Sequence, residues 1–106
     1  MKIGSTLAAA FLALSSEALA QDADIEAGAA YANKVCAACH AVLPNEQLSP
    51  LPQAPTFQSV ADTPGMTELA LTVWLQSSHP TMPNIVLEPD DMRNVVAYIR
   101  SLESKD

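Results

Sequence analysis

Two cysteines stand three positions apart, and a histidine follows the second directly: Cys36-Ala37-Ala38-Cys39-His40. They are the only cysteines in the 106 residues, so their placement limits what the chain can become. A disulfide between them would close a very short loop, and in the chain-entropy picture short loops stabilise least. A tetrahedral zinc site would need a fourth ligand, and the only other histidine, His79, lies far along the chain. A redox Cys-x-x-Cys belongs near a βαβ pattern, and none is visible here. What remains is the pattern Cys-x-x-Cys-His itself, the attachment signature of a c-type haem. Each thiol can add across one vinyl group of the porphyrin, and the histidine then faces the ring as an axial ligand.

The rest of the chain needs such a group. Lys2, the apolar run Ile3 to Leu14, Ser15, Ser16 and the triplet Ala18-Leu19-Ala20 read as a secretory signal, residues 1–20, cleaved after Ala20. The run is shorter than the roughly 18 apolar residues that a membrane span needs. No cysteine follows the cut to take a lipid, so stable membrane insertion is not expected. Export places the domain, residues 21–106, in the periplasm. Only Tyr31, Phe57, Trp74 and Tyr98 remain there as aromatics, and many apolar residues are alanines, too little for a strong core in so small a domain. With 5 basic against 12 acidic residues, net charge −7, the chain lacks the cationic surface that nucleic acids require.

Three helices are expected. The first runs from Asp24 to about Ala38, with Asp22, Asp24 and Glu26 at the positive end of its dipole. The middle one spans about Met66 to Ser77 and carries Leu71, Trp74 and Leu75. The last begins at Pro89, continues to about Glu103, and sets Met92, Val95, Val96, Ile99 and Leu102 on one stripe. Glu88 occupies a position where Ser or Thr would cap better. Between the first and middle helices Pro44, Pro50, Pro52 and Pro55 break regular structure, leaving a long loop of the kind that wraps a bound group.

Beyond the haem signature, the stretch Asp24 to Leu102 resembles the class I cytochrome c family. Its elements are Gly28 eight residues before Cys36, the attachment motif, Ala54-Pro55-Thr56-Phe57, the helix with Trp74, the Met82-Pro83 pair and a closing helix with Tyr98. Ala32 stands where many members have an aromatic, with Tyr31 one place earlier. The resemblance implies an all-α cytochrome c fold: three main helices and long loops around one haem c, bound through Cys36 and Cys39. It implies a crossing of the first and last helices at Gly28, where glycine inside a helix otherwise costs about 1 kcal/mol. His40 would be one axial ligand, with the Pro55 carbonyl accepting its Nδ1–H. For the other, Met66, Met82, Met92 and His79 are candidates. Met92 belongs to the apolar stripe, Met66 follows His40 too closely, and Met82 sits between two prolines as the family's ligand loop requires, with His79 the runner-up. Trp74, Leu71 and Leu75 are expected on the haem edge. Tyr31 and Tyr98 are helix-packing residues, Tyr98 also being a candidate for reaching a propionate.

The function so implied is a one-electron carrier and not an enzyme, since both axial positions are filled. The alternative is the electron-accepting cytochrome subunit of a periplasmic dehydrogenase or oxidoreductase; a haem protein with a vacant sixth position is a more distant rival. Redox partners would dock transiently near Ala37, Ala38 and the Met82-Pro83 loop, with acidic charge steering toward a basic face. A free carrier would be monomeric.

Overall fold

A computed structural model describes residue 4 and residues 22–77, 81–83 and 85–105. The proposed leader, apart from Gly4, and His79 lie outside the described residues. Helix α1, Ile25–Tyr31, starts because Asp24 adopts an extended conformation and accepts the Ala27 N–H on its carboxylate at 3.0 Å. The coil then widens to a π turn over Ala32–Cys36. The expected first helix is therefore present, ending at Cys36 with a change of pitch.

Helix α4, Pro89–Ser101, is the longest of the described helices. Pro89 opens it, Asp90 and Asp91 fill its first turn, and Glu88 gives no side-chain cap, as the sequence suggests. Met92, Val95, Val96, Tyr98 and Ile99 form its buried face. The helix stops slightly earlier than expected, with Leu102 as its C-cap.

Helices α1 and α4 cross at Gly28. A Cβ placed there would overlap the backbone carbonyl of Asn94 and come within 2.9 Å of the Tyr98 Cβ, so only glycine permits this approach. Asn94 returns a bond along the same seam, its Oδ1 accepting the Asp24 N–H at 2.9 Å. Ala32 is completely buried. The crossing thus forms with a small residue at position 32.

Two further helices complete the fold. The stretch between Cys39 and the middle helix holds a short helix, α2, Phe57–Ala61, that hydrophobic periodicity does not reveal. Thr56 caps it by accepting the Ser59 N–H at 3.0 Å, while Phe57 and Ala61 turn into the core. Helix α3, Glu68–Gln76, begins two residues later than the apolar pattern suggests, because Gly65 takes a left-handed φ of 79° and Thr67 provides the cap. Leu71 is its buried residue.

The core joins Ala32, Val42, Phe57, Ala61, Leu71 and the buried face of α4. Tyr98 is buried among them, and its hydroxyl donates to the Val42 carbonyl at 2.6 Å. That bond uses the phenolic proton on the loop after His40, which corrects the expectation that Tyr98 reaches a propionate. Among the described residues there is no strand, and no helix is long and apolar enough to cross a membrane.

Candidate functional site

The π turn delivers the first thiol. Here the backbone bond spans five residues in place of four, the Ala37 N–H donating to the Ala32 carbonyl at 3.0 Å, so the coil widens as it ends at Cys36, and π turns of this kind recur at functional positions. The chain folds back at once, with the Cys39 and His40 N–H groups donating to the Cys36 carbonyl at 3.2 and 3.0 Å. This tight turn places both sulfurs and the imidazole on one wall of a cavity. Neither cysteine is in a disulfide. Burial pushes the Cys36 thiol above its ordinary value. The activated cysteine of a thiol–disulfide enzyme carries the opposite shift.

His40 is oriented by a single strong contact: its Nδ1 lies 2.6 Å from the Pro55 carbonyl oxygen. A carbonyl can only accept, so Nδ1 carries the proton and Nε2 keeps its lone pair for a metal. Phe57 braces the ring at a centroid distance of 5.4 Å and a 50° tilt. Pro55 is itself held by the start of α2, where the Phe57 N–H donates to the Ala41 carbonyl at 2.9 Å. The segment Pro55-Thr56-Phe57 therefore does three things in consecutive residues: it accepts from the imidazole, caps a helix and packs a ring.

The cavity measures about 430 Å³ and is lined by Cys36, Cys39, His40, Pro55, Trp74 and Met82, all six of the residues expected at the site. Its size falls within the range of about 300–1,000 Å³ usual for cofactor sites. Leu71, Leu75, Val60 and Ile99 add apolar wall, and among the described residues no Asp, Glu, Lys or Arg lines it. Trp74 lines the cavity and is 54% exposed. Leu71 and Leu75 stand beside it as expected.

Of the methionines, Met66 and Met82 both line the cavity. Met92 is buried in the interior, as the stripe indicates. Met66, thought too close to His40, does reach the cavity wall. It is also packed against the hydrophobic core, whereas Met82 lines the cavity next to Pro83 without joining that core. Short chain separation did not keep Met66 away because α2 and the Gly65 turn fold the intervening residues back. Also unforeseen are Ser59, Val60 and Thr63 from α2 and its exit. The Pro-Thr-x-x-Ser pattern that starts α2 was the available signal.

The residues present fit a covalently held haem. Two thiols at thioether spacing, an imidazole with its tautomer fixed for metal binding, and a thioether share one uncharged cavity. Zinc and redox-thiol chemistry would each want a different donor set.

Comparison with known proteins agrees. The family model described as Cytochrome c matches residues 25–103. The chain is 38% identical over 99 residues to cytochrome c-552 of Bradyrhizobium diazoefficiens, an alignment covering 93% of this chain and 92% of that protein. No solved structure matches.

Proposed function

This chain belongs to the cytochrome c family, a family of electron carriers with covalent haem c, and on that premise we propose that it is a periplasmic one-electron carrier with His40 and Met82 as axial ligands. The observation that carries the reading is the bond from His40 Nδ1–H to the Pro55 carbonyl, in a cavity that also holds both thiols and Met82. Haem c supplies a one-electron couple between ferric and ferrous iron.

The protein's residues do the rest. Cys36 and Cys39 would hold the macrocycle by two thioethers. His40 would present Nε2 to the metal, with Pro55 keeping the imidazole from rotating and raising its basicity. Met82 offers a weak thioether donor that favours the reduced state relative to a second imidazole. The uncharged wall of Leu71, Leu75, Val60 and Ile99 keeps water out, so little must reorganise when the charge changes. With His40 and Met82 both engaged by the metal, no donor position would be left for a substrate. Redox partners would meet the opening by Trp74, Ala37, Ala38 and Met82-Pro83 in brief, weak encounters.

The ligand assignment is checked by comparing Met82→Ala with Met66→Ala in the haem-loaded protein. Met82→Ala should abolish the weak far-red absorption band that an iron–thioether bond gives the oxidised form, and it should open the reduced protein to carbon monoxide. Met66→Ala should keep the band. The opposite pattern assigns the ligand to Met66 and refutes this one, and a wild type that never shows the band refutes both.

A further inference from the structure

We propose that Gln58 is a positioning residue for the proximal ligand: its amide ties α2, whose entry segment holds His40, to the C-terminal end of α4 and to the loop after the attachment motif. The inference rests on the reading of His40 as the axial ligand.

Gln58 makes connections in three directions from one side chain. Its Oε1 accepts the Asn45 N–H at 3.0 Å. Its Nε2 donates to the Leu102 carbonyl at 2.6 Å and to the Asp62 carboxylate at 3.0 Å, with the Ser104 hydroxyl more distant at 3.4 Å. The two amide protons are used by the two close acceptors, and the amide cannot be turned round. Reversal would set Oε1 against a carbonyl and a carboxylate, and Nε2 against an N–H donor. Each contact serves a group with few alternatives. Leu102 is the C-cap of α4, where carbonyls lack partners within the helix. Asn45 has a left-handed φ of 63° after Pro44, the arrangement of a type II turn.

The route to His40 is short. Pro55, three residues before Gln58, accepts the His40 Nδ1–H, and α2 has only five residues, too few to hold its own position. Its inner side is fixed by Phe57 and Ala61, and Gln58 fixes it to α4. Helix α4 is in turn locked onto α1 at Gly28, and α1 runs into the π turn that ends at Cys36. Gln58 therefore fastens the frame that carries the carbonyl acceptor to the frame that carries the thiols. Without it, α2 can drift, the His40–Pro55 bond lengthens, and the imidazole becomes a poorer donor to the metal.

The test is Gln58→Met in the haem-loaded protein, a change that keeps length and helix propensity and removes all three bonds. The expected result is a reduction potential shifted to more positive values, together with solvent exchange of the His40 Nδ1 proton about tenfold faster by NMR, roughly the loss of one ordinary hydrogen bond. Ser104→Ala, which leaves the Leu102 and Asn45 bonds in place, should move neither. A lowered unfolding midpoint with potential and exchange unchanged would reduce Gln58 to a stability contact and overturn the proposal. If Gln58→Met gives no folded holoprotein, Gln58→Ala, with room for bridging water, is read the same way. A wild type without a low-spin haem spectrum refutes the function proposed above; a normal wild type with an insensitive Gln58→Met refutes this inference alone.

Discussion

Asp62 shows how a surface carboxylate can be structural. Its Oδ1 accepts the Ser104 N–H at 2.7 Å, and its Oδ2 accepts from the Ser104 hydroxyl and from Gln58, each at 3.0 Å. The backbone bond from Ser104, then the Gln58 amide, hold its pKa below the ordinary 3.8. A carboxyl with a depressed folded pKa contributes stability that is present above its unfolded value and lost as pH falls through the folded one. Asp62→Asn should therefore unfold more readily than wild type at neutral pH, and the difference should shrink as pH drops below 3.8. Denaturant titrations at several pH values measure it, and a gap that stays constant into acid would show that the charge is not responsible. The same residue-level logic applies to Tyr98, which packs in the core as expected. Burial raises its hydroxyl above the ordinary value and keeps the proton available for Val42.

Among the elements, the crossing of α1 and α4 is the least tolerant of change. Gly28→Ala would drive a methyl group into the Asn94 carbonyl, backbone that cannot swing aside, and it should cost about 3 kcal/mol or more of stability. Chemical unfolding of the holoprotein reports this directly, and a loss under about 1 kcal/mol would mean that the helices slide apart cheaply. This element was legible in the sequence because a glycine inside a helical run has a propensity cost that needs a reason, and α4 because its stripe is long and its first turn acidic. Helix α2 was not legible: five residues hold barely one turn, and its short apolar pattern cannot be told from a loop. The π turn was equally hidden, since nothing in Ala32 to Cys36 marks a change of pitch. Of the cavity residues, Cys36, Cys39 and His40 were readable from the attachment motif, whereas Met82, Pro55 and Trp74 were reached only through the family resemblance. The Met66 approach was not readable, because chain separation alone says nothing about a backbone that doubles back through α2.

Taken whole, the molecule has helices too short to stand alone and a core rich in small residues. The longest described helix has 13 residues, near the length at which isolated helices are only marginal in water. The walls of the 430 Å³ cavity include Leu71, Ile99 and Phe57, which also belong to the core, so the space for the haem and the hydrophobic interior share their side chains. The Cys36→Ala, Cys39→Ala double variant, produced without haem, should therefore show little helical circular dichroism and no cooperative thermal transition. A sharp transition in that apoprotein would mean that the polypeptide closes its own interior. The contact at Gly28 adds a temporal consequence, since it joins an early segment of the chain to a late one. A polypeptide emerging from its N-terminus cannot make that contact until Asn94 and Tyr98 have also emerged, and by then both sulfur atoms have long been out. The architecture thus leaves an interval in which both thiols stand on an open chain, before the last helix docks.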